Sequence, residues 1–87
     1  MSKQLLKSGT SVGANVREAQ NAESKMDFIH KLAIAQKECD ETIYWLDLLE
    51  ATEYISKDRH SKSSKKANEI LKIIKSSILT TKQRVKL

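Results

Sequence analysis

The sequence has no proline, only two glycines and a single cysteine among its 87 residues. Each scarcity excludes something. Cys39 has no second cysteine to pair with inside the chain, and a lone thiol fits a reducing compartment, so a cytoplasmic protein is expected. With no proline and with only Gly9 and Gly13 to weaken it, the backbone can run as helix almost throughout. No apolar run approaches the ~20 residues that a membrane span needs. Behind Met1, the residues Lys3, Gln4 and Lys7 interrupt the apolar core of any secretory leader, so none is expected. Residues 55–87 hold no aromatic side chain at all, which removes the usual platform for stacking bases of a single strand.

The length fits one domain, 1–87. A domain this small buries only about 60% of the surface its unfolded chain exposes, so partners are a common source of added stability. The formal net charge is +5, unevenly placed. Residues 1–56 carry six Lys/Arg against nine Asp/Glu, net −3, and residues 57–87 carry ten against two, net +8. A basic last third on a mildly acidic body suggests a surface that meets a polyanion; the plainer alternative is that lysines keep an exposed helix face in solution.

Three helical segments follow from the apolar spacing. Leu5, Gly9, Val12, Val16 and Ala19 recur at steps of four and three. So do Phe28, Leu32, Ala35, Cys39, Thr42, Leu46 and Leu49, and again Ala67, Leu71, Ile74, Ile78, Thr81 and Val85. Such steps mark one face of an α-helix at a bundle seam. Ser24 with Asp27 three residues on resembles a capping box and starts the second helix. The polar run SKDRHSKSSKK, Ser56 to Lys66, reads as a connection in which Ser61, Ser63 or Ser64 caps the third helix. The expectation is an all-α, antiparallel up-down helical bundle with helices over about 2–20, 24–54 and 64–86.

Both glycines lie in SGTSVGAN, Ser8 to Asn15. A phosphate loop needs G-x-x-x-x-G-K-[ST] between strand and helix. Here the glycines are four apart, Ala14 and Asn15 stand where Lys and Ser/Thr belong, and no strand precedes. The segment reads instead as a helix face on which Gly9 and Gly13 permit close helix packing, offsetting a helix-propensity loss of roughly 1 kcal/mol each.

The block from Gln4 to Ile55 resembles a known family. It contains SVGANVREA, then SKMDFIHKL, then ECDETIYWLDLLE. In this it is similar to the 23S rRNA intervening-sequence proteins, the "four helix bundle protein" family of bacteria, related to accessory proteins of diversity-generating retroelements. The resemblance implies a small up-down helical bundle that assembles as a homo-oligomer, pentameric by that resemblance, beside nucleic acid and without catalytic residues or cofactors. It also implies one more helix ahead of the matched block, so that this chain supplies three helices of a four-helix bundle.

Other constellations in the sequence bear on function. Ile34, Glu38, Glu41, Trp45 and Leu48 form a second stripe on helix two. A helix apolar on two faces contacts two neighbours, and Trp is enriched at interfaces, so Ile34, Trp45 and Leu48 are candidates for a subunit contact; completion of the intrachain core is the alternative for Trp45. Glu38 and Glu41 raise a di-metal site, but the only acid-x-x-His is Asp27–His30, so no metal is expected, and pairing with basic groups such as Lys37 or Arg17, or bonding across a subunit interface, is the better role. Cys39 sits on the seam as a small buried hydrophobe with no partner base. Candidate nucleic-acid-binding residues are Lys57, Arg59, Lys62, Lys65, Lys66, Lys72, Lys75, Lys82 and Arg84, with Lys86 behind them. Lys65, Lys72 and Lys75 lie off the Leu71/Ile74/Ile78 seam, on one solvent face. Such a face holds phosphates without reading sequence, which favours the backbone of structured RNA or duplex DNA. A membrane is a poorer partner, because helix three lacks boundary aromatics. The expected function is a non-catalytic, oligomeric, nucleic-acid-associated bundle; a protein-binding oligomeric adaptor is the alternative.

Overall fold

A computed structural model describes residues 2–53 and 55–85 of the chain. It contains three α-helices: α1 (Ser2–Gln20), α2 (Lys25–Ala51) and α3 (Lys57–Val85). Among the described residues there is no strand. Lys86 lies outside them, as does the side chain of the expected seam residue Val85.

The α2 start follows its sequence signal. Ser24 is extended, and its hydroxyl accepts from the Asp27 backbone N–H at 3.0 Å. Asp27 adds a carboxylate where the helix dipole is positive. The α2 end falls earlier than expected. Thr52 turns its hydroxyl back onto the Leu48 carbonyl at 2.9 Å, and Glu53 has φ 63°, in the left-handed region. That conformation satisfies the last carbonyls and stops the helix.

The third helix departs furthest from expectation. It starts at Lys57 rather than near residue 64, so most of the run read as a connection is helical. Ser56 is the cap: its hydroxyl accepts from Arg59 N–H at 3.1 Å and its carbonyl from His60 N–H at 2.9 Å. Asp58 sits in the first turn and pairs with Lys62 at 3.3 Å. His60 Nε2 lies 2.8 Å from Asp47 Oδ1, tying this first turn to α2. Lysine is a good helix former, and the serines are carried by these anchors.

Helices α1 and α3 each pack on α2, and not on each other. The chain is therefore a thin assembly, 49 × 20 × 13 Å, with α2 at the centre. Val12 and Ala19 of α1, Leu32, Ala35 and Cys39 of α2, and Leu71, Ile74 and Ile78 of α3 form the core. Burying a side chain of leucine or isoleucine size contributes about 1.5–3 kcal/mol. The α2 and α3 seams are those read from the sequence. The α1 seam is corrected at one position: Ser8, 1% exposed, replaces Gly9, which is exposed. The Ser8 hydroxyl bonds the Leu5 carbonyl at 3.1 Å and lies 3.0 Å from Thr42 Oγ1. Its polar atom is satisfied, so it packs as a small residue. On the outer flank of the α1–α2 contact, Lys31 Nζ meets Glu18 Oε2 at 3.0 Å, which raises the lysine pKa by hydrogen bonding and charge attraction.

Candidate interaction surfaces

The seam of α3 divides its solvent-facing surface into two flanks. The seam runs through Ser64, Ala67, Leu71, Ile74, Ile78 and Thr81. One residue on from each lies Lys65, Asn68, Lys72, Lys75, Leu79 and Lys82, all exposed. One residue before each lies Ser63, Lys66, Ile70, Ile73, Ser77 and Thr80, mostly exposed. A residue advances about 100° round an α-helix, so these two sets stand on opposite sides of the seam.

The first flank is a cationic stripe. With Lys57 and Ser61 ahead of it, it extends for some 37 Å of helix and holds Lys57, Lys65, Lys72, Lys75 and Lys82, with exposed Glu69 beside it, one turn from both Lys65 and Lys72. Exposed Leu79 is its single apolar member. None of the five lysines is in an ion pair among the described residues. The candidate basic residues are therefore not one surface. Lys62 pairs with Asp58, while Arg59, Lys66 and Arg84 lie on or beside the other flank.

That second flank faces an apolar groove between α1 and α3. Its floor is the α2 seam, from Phe28 and Leu32 to Thr42 and Leu46. Leu6, Gly9 and Val16 of α1 line one wall, and Ile70 and Ile73 of α3 the other. Leu6 and Ile73 are 72% and 65% exposed, unusual for large aliphatics. Three helices of a four-helix bundle are expected to leave part of their apolar seam uncovered, and sequence reasoning missed which residues wall the groove. The signal was there in Ile70 and Ile73, apolar residues one position off the α3 seam.

The glycines belong to the same wall. A Cβ built on Gly9 or Gly13 meets nothing within 4 Å. The close helix packing expected at both is thus not made inside the chain, because α2 approaches α1 along Leu5, Ser8 and Val12 instead.

On the far side of α2, Ile34, Trp45 and Leu48 are each half-buried, outside the core cluster. Trp45 meets Tyr44 edge-on at 5.1 Å, and Tyr44 is 57% exposed. Trp45 Nε1 is buried without a hydrogen-bond partner, a loss of about 1–3 kcal/mol for an indole N–H. Glu38 and Glu41 are in no ion pair among the described residues, so the expected pairing with Lys37 or Arg17 is absent. No group of three potential metal ligands gathers among the described residues.

Cys39 is 2% exposed, with Sγ 3.3 Å from the Ala67 carbonyl. Burial pushes its thiol pKa up, with a smaller contribution from Asp40. A protonated, enclosed thiol is a packing group and a poor nucleophile. No described helix is long and apolar enough to cross a membrane.

Comparison with known proteins agrees with this architecture. The family model described as 23S rRNA-intervening sequence protein matches residues 1–76. A crystal structure of a protein with unknown function from the S23 ribosomal protein family of Bacteroides thetaiotaomicron VPI-5482 is 54% identical, with a TM-score of 0.88. The similarity covers 90% of this chain and 72% of that one. No curated protein matches.

Proposed function

The chain belongs to the 23S rRNA-intervening sequence protein family, and from that premise we propose that it is a non-catalytic cytoplasmic bundle that self-associates and holds nucleic acid by its phosphate backbone. The observation that carries this reading is the lysine stripe of α3, five exposed lysines along one flank of the helix with Glu69 beside its middle. Lysine is a flexible point charge suited to phosphate, and a row of them follows a backbone without reading bases. The lack of any aromatic residue on α3 favours structured RNA or a duplex over a splayed single strand. Self-association is supported by the half-buried Ile34, Trp45 and Leu48 on the far side of α2. Repetition of a weak stripe around an oligomer multiplies its hold on one polyanion.

The test is fluorescence anisotropy with two labelled RNA hairpins of unrelated sequence. Both are expected to bind with similar affinity, and Lys72→Glu with Lys75→Glu to weaken both alike. No binding to either hairpin at low salt contradicts the nucleic-acid reading. A second reading, a protein-binding adaptor, is favoured by one observation, the exposed apolar groove between α1 and α3. Capture of a protein partner by a chain that binds neither hairpin decides for it.

A further inference from the structure

Helix α3 carries two carboxylates, Asp58 and Glu69, and their surroundings differ. Asp58 is engaged in the first turn, where it pairs with Lys62 at 3.3 Å. Glu69 is exposed and in no ion pair among the described residues, yet lysines surround it. Lys65 and Lys66 stand four and three residues before it, one helical turn away, and Lys62 two turns away. Lys62, Ser63, Lys65, Lys66 and Glu69 line one open depression on the surface of α3. Lys72, one turn on, lies outside that depression. Lys57, Lys75 and Lys82 stand farther off, ~120–140° round the helix from Glu69. Beyond Glu69, residues 70–85 hold Lys72, Lys75, Lys82 and Arg84 and no carboxylate.

The arrangement tethers one anion among several ammonium groups. A lysine ammonium is a compact point charge with three rotatable donors, so a carboxylate and a phosphate compete for it on similar terms. The tether gives the carboxylate a high effective concentration beside Lys65 and Lys66, and an arriving phosphate must displace it. The long, exposed side chains leave Glu69 free to exchange between the two lysines rather than lock onto one. We propose that Glu69 is a built-in competitor for phosphate on the N-terminal half of α3. It holds back Lys65 and Lys66, while Lys72, Lys75 and Lys82 stay open to a polyanion. The contact is thereby graded along the helix, and Glu69 sets its strength. The proposal rests on the nucleic-acid reading above and names the residue that regulates that surface.

The test compares wild type, Glu69→Gln and Glu41→Gln in binding to a labelled DNA duplex across a salt series. Each substitution removes one negative charge at an exposed position, and Glu41 stands on α2 rather than on the stripe. Circular dichroism confirms that each variant folds. Glu69→Gln is expected to bind about three- to tenfold tighter at low salt, as loss of one or two exposed pairings would allow. The magnitude of its log–log salt slope is expected to rise by about 1–2, as Lys65 and Lys66 gain phosphate contacts. Glu41→Gln is expected to change neither. In a chain that carries Lys65→Gln with Lys66→Gln, the further change Glu69→Gln is expected to add nothing. Equal effects of Glu69→Gln and Glu41→Gln overturn the proposal and leave the nucleic-acid reading standing. So does a Glu69→Gln effect that persists without Lys65 and Lys66, or one confined to the melting temperature. Absence of binding by both wild type and Glu69→Gln overturns the nucleic-acid reading itself.

Discussion

Ser8 of α1 and Thr42 of α2 meet hydroxyl to hydroxyl, 3.0 Å apart. Ser8 is 1% exposed, and Thr42 Oγ1 also lies 2.9 Å from the Glu38 carbonyl. Thr42 therefore keeps a partner if Ser8 is changed. Ser8→Ala is expected to cost only about 0.5–1.5 kcal/mol, the net worth of one hydrogen bond. Ser8→Leu forces a large side chain into the same contact and is expected to cost about 1–3 kcal/mol or more. Urea unfolding of the two variants gives the order.

The glycines reverse the usual expectation for a helix contact. Since a Cβ meets nothing at either position, Gly9→Ala and Gly13→Ala should each stabilise the folded chain by roughly 0.8–1 kcal/mol through helix propensity alone. A rise in Tm of about 4–8 °C per kcal/mol is expected for a domain of this size. Loss of stability in either variant would show that α1 makes an intrachain contact at its glycines after all.

Glu53 holds φ 63° just past the end of α2. A non-glycine residue there costs about 1–2 kcal/mol that glycine avoids. Glu53→Gly should therefore stabilise the chain, partly offset by glycine's larger entropy in the unfolded state, with a net gain of up to ~1 kcal/mol. Chemical denaturation reads the difference, and a destabilised variant contradicts the assignment of this turn.

Cys39 should resist thiol reagents in the folded chain. It is enclosed against Ala67, and its pKa is raised, so the thiolate is scarce at neutral pH. Labelling by a water-soluble disulfide reagent is expected to be slow in buffer and complete on mixing in denaturant. Rapid labelling in buffer would mean that α3 leaves α2 readily.

Much of this fold was legible as periodicity. The α2 seam from Phe28 to Leu49 and the α3 seam from Ala67 to Thr81 fall where steps of four and three place them, because burial against a neighbour imposes that spacing. The Ser24 cap was legible for the same local reason. What misled was residue identity. Ser8 looks polar and Gly9 looks like a packing residue, yet tertiary contact chose Ser8, whose hydroxyl finds partners. The serines from 56 to 64 look like a loop, yet Ser56 caps a helix that His60 ties to Asp47. The basic residues were visible as a count, but their division between stripe and groove depends on the side of the α3 seam each one takes. That division needed the seam to be fixed first. That three helices of a four-helix bundle leave apolar seam uncovered was legible; which residues line the groove was not, because a sequence shows which residues are apolar and not which of them remain uncovered.

The central claim is that the stripe of α3, rather than basic charge at large, holds nucleic acid. The most direct measurement is the salt dependence of binding to a labelled DNA duplex, for wild type, for Lys72→Gln with Lys75→Gln, and for Arg59→Gln with Arg84→Gln. Each pair removes two charges, so net charge falls equally. Neutralising one phosphate contributes about 0.9 to the slope of log affinity against log salt. The account predicts that losing Lys72 and Lys75 lowers the magnitude of that slope by about 2, while losing Arg59 and Arg84 leaves it nearly unchanged. Equal changes for the two pairs, or no salt-dependent binding by the wild type, would contradict it.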